Sequence, residues 1–164
     1  MLSDYPIWVK RLREDIASYG QQPEYAPDGL ASRIVMETLR LEQSDYLMRQ
    51  TTRAVAIDGF VIPERWLLRI CVRETHRSSE AFADPERFNP DRFPGRDHTK
   101  LSYAPFGASR IRCPGEHLSL SVGRIFVSEI AHGFDWDVTQ DGRLEYGGFH
   151  WKPSSKLRVR MTPR

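Results

Sequence analysis

With 164 residues, 40% of them hydrophobic and 28% charged, the chain has the make-up of an ordinary soluble globular unit with room for a core. It holds no run of eighteen apolar residues, and Met1 to Pro6 lacks the charged-then-apolar order of a signal peptide, so a soluble, cytoplasmic protein without membrane association is expected. A net charge of +2 is too small to indicate nucleic acid, and two cysteines far apart, Cys71 and Cys113, give no disulfide framework.

From the amino terminus, Trp8, Leu12, Ile16 and Tyr19 recur at helical spacing, which predicts an amphipathic helix from Pro6 to Tyr19, capped by Ser3 or Asp4 and stopped at Gly20. Residues 21–29 read as a loop. Leu30, Ile34, Thr38 and Leu41 then mark a second helix, with Glu37 and Arg40 three apart and on one face near its end. From Thr51 the period changes to two: Val55 and Ile57, the turn pair Asp58-Gly59, then Phe60 and Ile62 spell a hairpin closed by Pro63. Trp66 to Val72 fits another strand, with Cys71 as a packing residue. His76-Arg77 opens a short helical segment; for His76, capping or packing is set against a metal role.

Between Asp84 and Pro105, prolines at 85, 90, 94 and 105 favour an irregular path, yet Phe88, Phe93 and Tyr103 require that it pack against something. A third helix is expected from Pro114 to Ala131, with Leu118, Val122, Ile125, Phe126 and Ile130 on its apolar face and Gly133 as its stop. The remainder, with Asp141-Gly142, Gly147-Gly148 and alternating Leu157, Val159 and Met161, predicts short strands and turns.

The segment Phe106 to Gly115 sets Cys113 between a basic loop, carrying Arg110 and Arg112, and the start of that helix. Nearby positive charge and the helix N–H groups both favour thiolate over thiol, and Pro114 suits a first helical turn. Three readings of Cys113 stand at this point: a metal ligand, a nucleophile, and a small buried hydrophobe. Paired Cys/His spacing of the zinc kind is absent, whereas a single thiolate suits haem iron, whose porphyrin supplies four nitrogens.

Phe106, Gly107, Cys113 and Gly115 resemble, in register, the proximal loop Phe-Gly-x-Gly-x-Arg-x-Cys-x-Gly of the cytochrome P450 family. Upstream, Glu37-Thr38-Leu39-Arg40 is similar to the family's Glu-x-x-Arg, and Pro90-Asp91-Arg92-Phe93 to the Pro-x-Arg-Phe of its meander. Two positions depart. Ser109 stands where the family has Gly, and Ile111 where it has the Arg or His that meets a haem propionate. The resemblance covers nearly all of residues 1–164 but only the carboxy-terminal part of a family member, without the oxygen-handling central helix. It implies a single partial domain of a mixed α/β, mainly α fold with small hairpins, a meander and a Cys loop.

The resemblance also implies haem b (iron protoporphyrin) as cofactor, with Cys113 as catalytic proximal thiolate and metal ligand. Phe106, Gly107 and Gly115 would surround the ligand, Arg110 or Arg112 would replace the missing propionate contact, and Arg49 resembles a second propionate arginine or is simply solvated. Glu37, Arg40 and Arg92 would form a buried structural network. Implied partners are an acidic ferredoxin- or flavodoxin-type electron donor, steered by the carboxylate-free stretch from His98 to Gly115, a small organic substrate, and an amino-terminal half or other subunit over apolar faces that lack a partner within the chain. Two functions follow: the haem-thiolate part of a monooxygenase, an oxidoreductase once completed, or a non-catalytic haem-binding or interaction protein.

Overall fold

Pro6 has no N–H to leave unpaired, and the i, i+4, i+8 spacing of Trp8, Leu12 and Ile16 gives the first helix one apolar face. In the computed structural model, which describes residues 2–18, 29–42, 46–93, 102–108, 111–140, 144–146 and 151–164, helix α1 (Pro6–Ser18) buries those three residues with Val9. A short 3-10 turn at Leu2–Asp4 leads into it. Tyr19, Gly20 and the loop at 21–28 lie outside the described residues, as do the turn pairs Asp141-Gly142 and Gly147-Gly148.

Helix α2 (Leu30–Leu41) follows Gly29, which has no side chain to cap it. The cap comes from α1 instead: Asp15 Oδ2 accepts the Leu30 N–H at 3.0 Å, placing a carboxylate at the positive end of the helix. α2 packs against α1 and α4 (Glu116–Gly133), and Leu12, Leu30, Ile34, Phe88 and Ala131 close the core between them. Arg13 of α1 ties down the far end of α4, donating to the carbonyls of Ala131 and Phe134 at 2.9 and 2.7 Å.

Between α2 and the next helix lies a pair of nested hairpins. β1 (Leu47–Gln50) pairs antiparallel with β4 (Leu67–Ile70), and the two enclose β2 (Val55–Ile57) and β3 (Phe60–Ile62). The expected strand over 66–72 is trimmed to Leu67–Ile70, and β1, with no clean alternation, was invisible to pattern reading. Asp58 at φ 47° and Gly59 at φ 80° join β2 to β3 in the doubly left-handed turn that matches strand twist. Thr51 holds the base of the hairpin, its hydroxyl donating to Pro63 O at 2.6 Å and accepting the Trp66 N–H at 2.9 Å.

Helix α3 (Val72–His76) corrects the expectation that His76 opens a helix: His76 ends one, and the helix starts in what read as strand. The irregular path that follows includes a 3-10 turn, Pro90–Arg92, capped by Asn89, whose Oδ1 accepts the Asp91 N–H. Arg11 of α1 and Arg33 of α2 both reach Asp91, at 2.8 and 2.6 Å, and pin this turn to the helices. The Arg11 hydrogen bond, foremost, holds the Asp91 carboxyl below the usual carboxylate range. Beyond α4, β7 (Phe134–Gln140) pairs antiparallel with β10 (Arg158–Pro163), and β8 (Leu144–Tyr146) with β9 (Trp151–Pro153). Helices and small antiparallel sheets together make the mixed α/β, mainly α fold expected.

α4 packs with the face that looks weaker in sequence. Ser128 and Ala131 are its buried residues, and Gly123 meets α2 so closely that a Cβ there would lie 3.0 Å from Val35 Cγ1. Leu118 and Phe126 are 70% and 61% exposed, and Val122 and Ile125 are exposed with them. An apolar stripe on the surface means that the chain by itself does not cover it.

Candidate functional site

Glu37 and Arg40 lie three apart on α2 and are both fully buried. Arg40 Nε and Nη2 donate in parallel to the two Glu37 oxygens at 2.8 and 2.9 Å, a bidentate geometry that only a guanidinium provides. Arg92 Nε from the 3-10 turn donates to Glu37 Oε1 at 3.0 Å, and the Asn89 N–H reaches the same oxygen at 2.8 Å. The remaining donors are also taken up: Arg40 Nη1 by His76 O at 2.8 Å, and Arg92 Nη1 by Ala83 O at 2.9 Å. Arg40 also lies over the Phe82 ring, 5.2 Å from its centroid. Burying three ions costs several kcal/mol each, so the triad stands on mutual satisfaction. Its structural consequence is fixed geometry, since α2, α3 and the 88–92 segment are tied at one point.

The cysteine loop is built on that point. Tyr103 donates its hydroxyl to Met36 O at 2.9 Å, and its ring lies against His76 and Phe93, with centroids 5.2 and 4.9 Å away. Burial holds the Tyr103 phenol neutral far above its usual range. The Ala104 N–H donates to His76 Nε2 at 2.9 Å, and Ala104 O accepts the Gly107 N–H at 3.1 Å. β5 (Gly107–Ala108) and β6 (Ile111–Arg112) then form a small hairpin, where Gly107 sits at φ 85°, a conformation that favours glycine. Phe106 O accepts the Cys113 N–H at 2.8 Å.

Cys113 follows the hairpin, and α4 starts three residues later, after Pro114 and the cap residue Gly115. The expected start at Pro114 moves to Glu116 because the intervening residues form a turn, with the Glu116 N–H reaching Cys113 O at 3.2 Å. Cys113 is exposed, which removes the buried-hydrophobe reading. A Cβ at Gly115 would stand 3.7 Å from Cys113 Sγ, so the glycine keeps one side of the sulfur clear. Among the described residues no group of three or more His, Cys, Asp or Glu side chains could hold a metal ion. The Cys113 sulfur is thus exposed, with room beside it for a group that brings its own remaining ligands. Behind the loop lies a cavity of about 50 Å³ lined by Met36, Tyr103, Phe106, Arg112 and Glu116.

The arginines expected near the sulfur differ among themselves. Arg112 pairs with Glu116 one helical turn ahead, at 2.5 and 3.0 Å, which reduces the expected basic character of the loop. Arg110 and Ser109 lie outside the described residues. Arg49 sits in β1 opposite Leu68 and donates to Met48 O at 2.7 Å. His76 is buried and engaged through its Nε2, which corrects any metal role. Its link to Ala104 was missed in sequence, because 28 residues separate the two and nothing periodic connects them.

A buried Glu-Arg-Arg triad thus lies next to an exposed cysteine loop, on helices flanked by small antiparallel sheets. The sequence model of the Cytochrome P450 family matches residues 3–153, and the chain belongs to that family. It is 35% identical over 136 residues to abscisic acid 8'-hydroxylase 2 of Arabidopsis thaliana, a match covering 82% of this chain and 28% of that one. To cytochrome P450 90D2 of Oryza sativa it is 28% identical over 159 residues, 96% of this chain and 32% of the relative. A retinoic acid-bound cyanobacterial CYP120A1 structure superimposes with a TM-score of 0.86 at 22% identity, over 99% of this chain and 40% of the other. The heme domain of cytochrome P450DA gives 0.86 at 18% identity. The chain thus spans about a third of the length of the curated relatives it matches.

Proposed function

We propose that the chain is the haem-ligating part of a P450-type monooxygenase, with Cys113 as the proximal thiolate. The observation that carries this reading is the exposed Cys113 sulfur, held between a hydrogen-bonded hairpin and a helix start and left clear by Gly115. Haem held there supplies the oxygen activation by which such enzymes insert an oxygen atom into a small organic substrate.

This chain's own residues set the ligand. The Cys113 main chain is fixed by Phe106 O, and the 2.8 Å bond keeps the sulfur from swinging with its loop. Phe106 and Gly107 shape the loop beside it. Arg112, 60% exposed, is available to a propionate only by giving up Glu116, whose side chain is 17% exposed. Arg110 and Arg49 are the other propionate candidates. An acidic ferredoxin- or flavodoxin-type protein is the electron donor that a positively charged loop surface would steer.

An amino-terminal polypeptide completes the enzyme in this reading, because the chain spans about a third of its relatives' length and leaves the Leu118/Val122/Ile125/Phe126 stripe uncovered. The second reading, a non-catalytic haem-binding or interaction protein, is favoured by one observation: Ile111 stands at the propionate position, and its neighbour Arg112 is already paired. A ferrous–CO difference spectrum, recorded with and without an amino-terminal P450 portion, tests the proposal. A strongly red-shifted Soret band that is lost in Cys113→Ser is expected; its absence from the wild-type under both conditions would refute thiolate ligation.

A further inference from the structure

We propose that His76 is a positioning residue that couples the buried Glu37–Arg40–Arg92 triad to the cysteine loop. One residue faces both. Its main-chain carbonyl accepts Arg40 Nη1 at 2.8 Å, and its ring Nε2 accepts the Ala104 N–H at 2.9 Å. From Ala104 the linkage continues without a gap: Ala104 O takes the Gly107 N–H, and Phe106 O, within that turn, takes the Cys113 N–H. Four hydrogen bonds, joined by the covalent links within His76, within Ala104 and between Phe106 and Gly107, therefore connect the ion triad to the main chain of the cysteine.

The chemistry requires one tautomer. An Nε2 that accepts from a main-chain N–H bears the lone pair, so the single proton of the neutral ring is on Nδ1. Nδ1 meets no acceptor among the described residues, so the grip on the ring comes from Nε2, from the Tyr103 ring stacked at 5.2 Å and from the Phe82 edge at 6.3 Å. The ring is fully buried, and burial pushes its pKa from 6.5 to about 4, which keeps it neutral and accepting at physiological pH. A protonated ring would offer Ala104 a second donor and release the loop entry.

Loop positioning stands on these contacts alone; its consequence for haem retention rests on the function proposed above. The test compares the 164-residue wild type with His76→Gln, whose Oε1 can replace Nε2 as acceptor, and His76→Leu, which keeps bulk without an acceptor. Nitrogen NMR of the wild-type imidazole should find Nδ1 protonated and Nε2 bare. Amide hydrogen exchange at Ala104, Gly107 and Cys113 should accelerate about 10-fold or more in His76→Leu, relative to amides of α1, and stay near wild type in His76→Gln. Haemin titration should show a parallel weakening in His76→Leu alone. A wild-type ring protonated on Nε2, unchanged loop exchange in His76→Leu, or equal loss in both variants overturns the proposal. Should His76→Leu fail to fold, the wild-type tautomer and the His76→Gln exchange decide it. A wild type that takes up no haemin would strike the cofactor reading, while the exchange data would still decide the linkage.

Discussion

Arg40 is the side chain on which most of the proximal geometry converges, since it contacts Glu37, His76 O, Arg87 O and the Phe82 ring from a fully buried position. Arg40→Leu would leave Glu37 as a buried carboxylate with only Arg92 and the Asn89 N–H. A loss of about 3–5 kcal/mol is expected by urea unfolding, as for a broken buried pair. His76 adds a pH dependence. Its folded pKa of about 4 lies below the ordinary 6.5, because of burial first and the Arg40 charge in addition, so the folded state binds fewer protons than the unfolded state between those values. The resulting stability is complete above pH 6.5 and is lost as pH falls toward 4, at about 1.4 kcal/mol per pH unit at its steepest. In His76→Gln this slope should flatten over the same window.

At the scale of elements, the contact of α2 with α4 depends on having no side chain at Gly123. Alanine there gains about 1 kcal/mol of helix propensity but must displace Val35, whose two methyl carbons would lie 3.0 and 3.2 Å from the new Cβ. Overpacking of this kind costs about 1–3 kcal/mol, so Gly123→Ala should be net destabilising by roughly 1 kcal/mol. In a Val35→Ala background the same substitution should become stabilising, and a double-mutant cycle of urea midpoints checks the sign change. Gly59 differs: nothing lies within 4 Å of it, so Gly59→Ala is strained only through its φ of 80° and should cost about 1–2 kcal/mol within the hairpin.

For the molecule as a whole, large apolar residues lie outside on the α4 stripe, on the β2–β3 hairpin with Phe60 and Val61, on the neighbouring β1–β4 pair with Met48, Leu67 and Ile70, and on the β7–β10 pair with Val138, Val159 and Met161. Among the described residues no helix is long and apolar enough to cross a membrane. The chain should bind a hydrophobic dye, and a P450 amino-terminal portion should displace it. Val122→Lys with Phe126→Glu should reduce dye binding while changing stability by no more than about 0.5 kcal/mol each, since surface positions outside special contacts cost little. A fold that unravels with these two changes would mean that the stripe is internal support rather than a docking face.

What could be read from residues in order was whatever depends on near neighbours. Glu37 and Arg40 are three apart, Asp58-Gly59 is a turn by its own backbone preferences, and Phe106 to Gly115 is one contiguous loop; helical spacing also placed α1, α2 and α4 to within a turn. Contacts across the chain were not legible. His76 with Ala104, Asp15 with Leu30, Arg13 with Ala131 and Gly123 with Val35 each join residues that share no period and no motif. The sharpest case is α4, whose strongest apolar stripe promised a buried face and lies outward. Which side of a helix is buried depends on what packs against it, and α4 meets the core with Gly123, Val127, Ser128 and Ala131.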